Sequence, residues 1–395
     1  LRADDLSVQA LTAAGTPGSL EVESDTIELN GTVSTDGTAT FYTRTASQPM
    51  SVGTDGTAGA WELGDPTGSD EVALLSGVTE LVIGNDTVTT ATITFQTVTI
   101  PDLITSLTVY ADGANGGIIL DDENTATALD GQGATIALYS GAGPSGVGIA
   151  AAQDSNGFAE LRSDSAPITL DTTAQDGADI GATGSPGKRV QFYNAQTEVS
   201  IATDGGDVWI GGIADATGVT YDDIDTQPDA GANSTNAGTL SIVNETAATP
   251  IRLNGTIDTT GGTGGTQEYG ESGNRHPVVL AGPTTMESAN ADITIWNDIS
   301  DAGTNTLTVS AGTGDINLNI DSVATTGAQS WSAANVNVNA PTGPTDRLTV
   351  QTSDADVTVT TTGALILADD DDLTIDTGSG GGAITIDAVT GVAAT

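Results

Sequence analysis

A short apolar–x–apolar triplet, closed by Gly, Asp, Asn or Thr, recurs along the whole chain and limits what it can fold into. Leu6-Ser-Val8, Leu20-Glu-Val22 and Ile27-Glu-Leu29 open the series. Leu107-Thr-Val109, Ile118-Ile-Leu120, Ile136-Ala-Leu138 and Ile168-Thr-Leu170 follow, then Val208-Trp-Ile210, Leu240-Ser-Ile242, Ile251-Arg-Leu253 and Val278-Val-Leu280. The last hundred residues are the most regular. They hold Ile293-Thr-Ile295, Leu307-Thr-Val309, Ile316-Asn-Leu318, Val336-Asn-Val338, Leu348-Thr-Val350, Val357-Thr-Val359, Leu365-Ile-Leu367, Leu373-Thr-Ile375 and Ile384-Thr-Ile386. Alternation of this kind is a strand with one inward and one outward face. The spacing leaves no room for a helical crossover, so two or three short strands per coil are expected. Coils of roughly 20–25 residues would stack inward Val, Ile and Leu in columns. Some 16–20 coils at ~4.8 Å each would give a rod of about 80–95 Å.

Composition supports a thin stacked core over a thick globular one. Aromatics are 4%, with 2 Met and 51 Gly in 395 residues. The expectation is one elongated, all-β solenoid over 1–395 with irregular loop insertions. Regularity should be highest over 1–140 and 236–395 and lower over 141–235, and 260–275 reads as an exposed loop. The one helical stretch, Asp70-Glu-Val-Ala-Leu-Leu75, is about a turn long. A nine-residue echo, Ile27 to Thr35 against Ile251 to Thr259, points to a longer repeat.

Charge narrows the partners. The chain has 53 acids against 8 bases, a formal net charge of −45, with 40 Asp and 13 Glu. A nucleic-acid partner would need Lys and Arg, and the chain has a single lysine, Lys188. An anionic membrane surface is disfavoured for the same reason. No apolar run is long enough to span a bilayer, so no membrane insertion is expected. Cysteine is absent, so no disulfide forms. The chain opens on Leu1 without a signal peptide, which suits a processed export product or a segment of something longer.

Several stretches carry a resemblance. Gln48-Pro-Met-Ser-Val-Gly53, Ala60-Trp-Glu-Leu63, Glu71-Val-Ala-Leu-Leu75 and Glu80-Leu-Val-Ile-Gly84 are similar to one recurring module. Leu107-Thr-Val109 and Gly117-Ile-Ile-Leu120 continue it. Leu307 to Ile316 and Thr325 to Ser330 are similar to another. In these the chain resembles the filamentous-haemagglutinin-like surface proteins, very large bacterial exoproteins built from β-strand repeats. The resemblance implies a right-handed parallel β-helix, export, and a role as stalk, adhesin or fibre. The family's N-terminal secretion domain is not visible.

Candidate chemistry is sparse. His276 is the only histidine, in Asn274-Arg-His-Pro277, and reads as a surface loop residue. Calcium wants several oxygens. The acidic runs are Asp121-Asp-Glu123, Tyr221-Asp-Asp-Ile-Asp225 and Asp369, Asp370, Asp371 and Asp372, of which the last is the best candidate calcium site. Gly312-Thr-Gly-Asp-Ile-Asn-Leu318 brushes a nonapeptide calcium repeat, but alone. No other cofactor is expected. A β-helix polysaccharide lyase or glycosidase would pair Asp with Arg in a groove, yet Arg162, Arg252 and Arg347 are scattered. Trp61, Trp209, Trp296 and Trp331 are candidate carbohydrate platforms, with core packing as the plain alternative. Sequons at Asn30, Asn85, Asn233, Asn244 and Asn254 are what a Thr-rich chain contains by chance. The expected role is therefore structural and extracellular, without catalysis. Self-association through terminal coils, or continuation in a longer chain, would supply the partner. An adhesin binding carbohydrate or a neighbouring surface, and the polysaccharide enzyme, are the alternatives.

Overall fold

In the computed structural model the described residues are 1–8, 11–12, 18–29, 31–53, 61–63, 72, 75–86, 91–121, 127–142, 147–152, 159–163, 166–174, 178–182, 189–193, 198–212, 220–227, 237–244, 250–273, 275–339, 347–368 and 371–391. They are built of β-strands joined by turns, and every strand pair with a defined register is parallel. By internal contacts the chain divides into two compact units, Leu1–Ile210 and Gly211–Thr395.

In the C-terminal unit, from Ile299 on, each coil contributes three short strands, and each strand pairs with its equivalent one coil on. The first row runs Ile299–Asp301, Ser322–Ala324, Arg347–Gln351, Asp372–Asp376. The second runs Leu307–Ser310, Gln329–Ala333, Val357–Thr361, Ile384–Ile386. The third runs Ile316–Leu318, Val336–Val338, Leu365–Leu367, Val389–Gly391. Two longer strands, Ile251–Thr259 and Val278–Ser288, lie alongside one another ahead of these. The second serves two rows, pairing first with Ile299–Asp301 and then with Leu307–Ser310. Short triplets cannot cross over within so few residues, so a parallel partner is reached only by completing the coil.

The N-terminal unit follows the same rule with longer loops. One row runs Leu20–Leu29, Thr38–Tyr42, Glu80–Gly84, Ser106–Ala111, Thr135–Ser140, Ile168–Asp171, Glu198–Ala202. Another links Met50–Gly53, Thr92–Gln96, Gly117–Asp121 and Val147–Ala151.

The inward positions are the triplet ends. Leu107, Val109, Ile118, Leu120, Ile293, Ile295, Leu307 and Val309 are all fully buried, while Thr294 and Thr308 between them are partly exposed. Nine of the C-terminal triplets are strands or lie within strands at the expected positions. The outward column of the second row is a run of hydroxyls in register: Thr256, Thr285, Thr308, Ser330, Thr358, Thr385.

Three expectations change. The stretch 260–275 contains the core strand Gln267–Tyr269, with Gln267 at 1% and Tyr269 at 0% exposure. A polar residue at the first inward position hid it. His276 is buried, because the inward alternation of Val278 and Leu280 extends back to it. The echo of residues 27–35 and 251–259 is not one shared element. Ile27–Leu29 ends the strand Leu20–Leu29, whereas Ile251–Thr259 is a single continuous strand. The helical candidate at 70–75 lies mostly outside the described residues, apart from buried Val72 and the strand Leu75–Ser76.

Candidate functional site

The polar groups that recur in both units sit at the corners where strands end. A four-residue pattern marks them: an inward apolar residue, Asp, then Thr, then a turn. Asp171-Thr172, Asp225-Thr226, Asp258-Thr259 and Asp376-Thr377 share it. Each aspartate accepts the backbone amide two residues on, from Thr173, Gln227, Thr260 and Gly378, at 2.8–2.9 Å. This closes an Asx turn, which Asp reaches and the longer Glu does not. The preference for Asp over Glu thus has a geometric cause.

Each threonine points inward and is buried. Its hydroxyl donates across the corner to a carbonyl: Thr172 to Ala178 at 2.8 Å, Thr226 to Gly238 at 2.9 Å, Thr259 to Gly265 at 2.7 Å and Thr377 to Gly382 at 2.9 Å. Thr203 and Thr325 make the same bond to Gly206 and Gly327 at 2.8 Å. A carbonyl inside a bend has no strand partner, and the hydroxyl supplies one. Thr259→Val keeps the shape and deletes the donor. It should lower the stability of the C-terminal unit by about 1–2 kcal/mol, read as a shift in the urea midpoint, while Thr259→Ser should recover most of the loss.

Other carboxylates bond between coils. In the C-terminal unit Asp292 Oδ1 accepts the Asp315 amide at 2.8 Å, and Asp315 Oδ1 accepts the Asn335 amide at 3.0 Å. Asn335 continues the column toward Ala364 at 3.2 Å. Asp298 takes the amides of Asp321 and Ser322, and Asp356 that of Ala383. Asp301 accepts from the Gly303, Asn305 and Thr326 amides, the Asn305 side chain and the Thr326 hydroxyl. Although partial burial opposes ionisation, these donors hold the Asp301 carboxyl down at about 2. Its contribution to stability is present above the ordinary carboxylate range and is lost as pH falls from there toward 2.

Asp179 in the N-terminal unit behaves in the opposite way. It accepts the Asp207 amide at 2.8 Å, but burial, with the Asp207 charge adding to it, pushes its carboxyl up to about 6. The folded chain therefore binds a proton that the unfolded chain does not between the ordinary carboxylate value and about 6. Stability from this group rises as pH falls through 6 and is missing at neutral pH. Asp179→Asn should stabilise the N-terminal unit at neutral pH and flatten its profile between about 4 and 6. The gain should be about 1 kcal/mol, because the group is partly open to water and its shift is screened. Thermal midpoints across that range would show it.

The sequence candidates fall as follows. Asp369 and Asp370 lie outside the described residues. Asp371 precedes, and exposed Asp372 opens, the strand Asp372–Asp376, where Asp372 stands in register with Arg347. In the run 221–225, Asp222 accepts the Asn254 side chain at 2.8 Å, Asp223 the Thr256 amide at 2.7 Å, and Asp225 closes its turn. Tyr221 is buried. Asp121 ends the strand Gly117–Asp121, while Asp122 and Glu123 lie outside the described residues. Asp315, in the nonapeptide-like run, is a coil-to-coil acceptor. Among the described residues no group of three or more His, Asp or Glu is arranged to hold a metal.

Trp61 and Trp331 are core residues, at 0% and 2% exposure, so neither is a carbohydrate platform. Trp209 and Trp296 are partly exposed, and each has a guanidinium over its ring. Arg189 lies 5.6 Å from one centroid and Arg275 5.9 Å from the other. The Trp296 indole also donates to Glu268 at 2.9 Å. Arg162 lies 3.6 Å from Asp130, a local ion pair. Of the sequon residues, Asn244 is buried and Asn254 is tied to Asp222.

One polar hollow of about 340 Å³ opens along the C-terminal unit, lined by Asp301, Thr326, Gln351, Thr352, Ser353 and Asp376 among others. No arginine lines it. Both of its carboxylates already accept turn amides, Asp301 from Gly303 and Asp376 from Gly378. The corner pattern is legible in the sequence as Leu or Ile followed by Asp-Thr, at Leu170, Ile224, Ile257 and Ile375. No protein-family model, curated protein or solved structure matches the chain.

Proposed function

We propose that the chain is a non-catalytic structural element of an extracellular or cell-surface fibre or stalk, folded as a right-handed parallel β-helix. The observation that carries this reading is the use made of its polar groups. The aspartates, threonines and asparagines with resolved partners bond turns and neighbouring coils, and so hold the stack together rather than converge on a ligand. The resemblance to filamentous-haemagglutinin-like exoproteins agrees with it. Strong net negative charge keeps such a surface soluble and apart from nucleic acid.

Lengthwise assembly belongs to the same proposal. Ile384 and Val389, in the strands Ile384–Ile386 and Val389–Gly391, are 49% and 56% exposed although their equivalents one coil earlier are buried. A further coil, from this polypeptide or another copy, would cover them by parallel strand addition.

The test combines the mass of the denatured native polypeptide, electron microscopy of material from its source, and incubation with polysaccharides. Fibres or stalks without depolymerisation are expected, with a mass either far above 39.2 kDa or, for a stacking subunit, near it. Depolymerisation that stops when Asp301 or Asp376 is changed to Asn, with the fold intact, would overturn the reading in favour of an enzyme.

A further inference from the structure

Asn-Gly pairs are chemically fragile, because a glycine nitrogen meets no side chain when it turns on the preceding amide. Two of the chain's pairs have both residues described, Asn115-Gly116 and Asn254-Gly255, and the fold treats them differently. Asn115 is exposed on the turn between the strands Ser106–Ala111 and Gly117–Asp121. Its side chain makes no hydrogen bond within the described protein. Asn254 sits within the strand Ile251–Thr259, where its Nδ2 donates to Asp222 at 2.8 Å. Its Oδ1 packs so closely on Gly282 that a Cβ there would lie 1.7 Å away.

We propose that Asn115 is a site of spontaneous deamidation, a modification that accumulates with the age of the folded protein. The Gly116 nitrogen attacks Asn115 Cγ. A Cγ–N bond forms, the Cγ–Nδ2 bond breaks, and ammonia leaves with the amide proton. Water then opens the succinimide at either carbonyl, giving aspartate or isoaspartate. The nitrogen must first release its turn bond to the Gly113 carbonyl, 2.7 Å away, and because Gly116 is buried beside exposed Asn115 the turn opens locally before the attack.

The fold itself maintains the weak pair. A Cβ on Gly116 would lie 2.0 Å from the Ala111 carbonyl oxygen, so the turn admits only glycine there. A bulkier successor that would slow the attack is excluded by the same close approach. The product adds a carboxylate three residues from Asp112. In the isoaspartate form it also adds one methylene to the main chain of this corner. A fibre protein that is not turned over would collect this change steadily, though the chemistry does not depend on that role.

The folded chain, held in mildly alkaline buffer over weeks, is sampled beside a chain kept in denaturant. Peptides covering residues 115 and 254 are followed by mass spectrometry, and isoaspartate is assayed with the methyltransferase specific for it. In the folded chain Asn115 should react about tenfold or more faster than Asn254, whose amide must first leave a charged partner. In denaturant the two rates should converge, and Asn115→Gln should remove the early mass gain. Equal rates at both sites in the folded chain would overturn the proposal. So would an Asn115 that stays intact when folded while the denatured chain reacts.

Discussion

Trp331→Ala is expected to cost the C-terminal unit about 3–5 kcal/mol. Trp331 is the central inward residue of the strand Gln329–Ala333 and is 2% exposed. In register it stands between Val309 of one coil and Val359 of the next. In a globular core, neighbours shift to fill part of a deleted ring. Here the parallel ladder holds adjacent coils about 4.8 Å apart, so Val309 and Val359 cannot close the gap without breaking backbone hydrogen bonds. An apolar hollow already adjoins the ring, bordered by Leu318, Val336, Val350 and Val359, and the deletion would enlarge it. Because each coil touches only its neighbours, the loss should appear as early unfolding of this unit, with the N-terminal unit unchanged. Hydrogen exchange by segment and urea unfolding would show both. Trp331→Phe should restore more than half. A loss below about 1 kcal/mol would mean that the inward and outward parity of the strand is reversed.

The sequence pattern exposes the strands whose two inward positions are both apolar. Ile293–Ile295 and Val336–Val338 are such cases, and their limits match the triplets. The strands it conceals have a different inward residue. Ile299–Asp301 and Ser322–Ala324 each bury one apolar side chain, Ile299 and Val323. Gln329–Ala333 and Gln267–Tyr269 begin inward with glutamine. A buried glutamine reads as loop, yet here the corner supplies its partners. Gln267 Nε2 donates to the Glu287 carbonyl at 2.8 Å and its Oε1 accepts the Tyr269 hydroxyl at 2.8 Å. Gln329 Nε2 donates to the Gln351 carbonyl at 2.9 Å. Binary patterning has no symbol for an inward-facing polar side chain whose amide donates to backbone carbonyls.

The acidic run 221–225 is put to a different use for a related reason. Asp residues close together in sequence suggest convergence on a cation. In a solenoid, neighbours in sequence around a corner point to different coils or different turns. Asp222, Asp223 and Asp225 serve three separate donors, the Asn254 side chain and the Thr256 and Gln227 amides. What matters is the residue one coil away, and with loops of varying length that partner is not a fixed number of positions along. Asp315 lies 23 residues from Asp292, but Asn335 only 20 from Asp315.

Gly312→Val should destabilise the C-terminal unit by at least about 3 kcal/mol, and the reason lies in how two corners stack. Gly312 has φ of 58°, the left-handed region, where a β-branched residue alone costs about 1–3 kcal/mol. A Cβ there would also lie 1.6 Å from the Ala289 carbonyl oxygen. That oxygen already accepts the Thr313 amide at 3.2 Å, so it cannot withdraw without losing a bond. The following residues repeat the arrangement. Thr313 donates its hydroxyl to Asn290 at 2.7 Å, a Cβ on Gly314 would lie 2.3 Å from the Ala291 carbonyl, and the Asp315 amide meets Asp292. Four consecutive residues thus lie on four consecutive residues of the preceding coil. Displacing one of them breaks the rest, so the cost should exceed the local strain. Gly314→Ala meets a similar wall without the left-handed backbone, and should cost less. Measured together, the two variants separate backbone conformation from coil contact. If Gly312→Val and Gly314→Ala were equally damaging, the left-handed turn would contribute nothing and close stacking alone would explain why glycine is required.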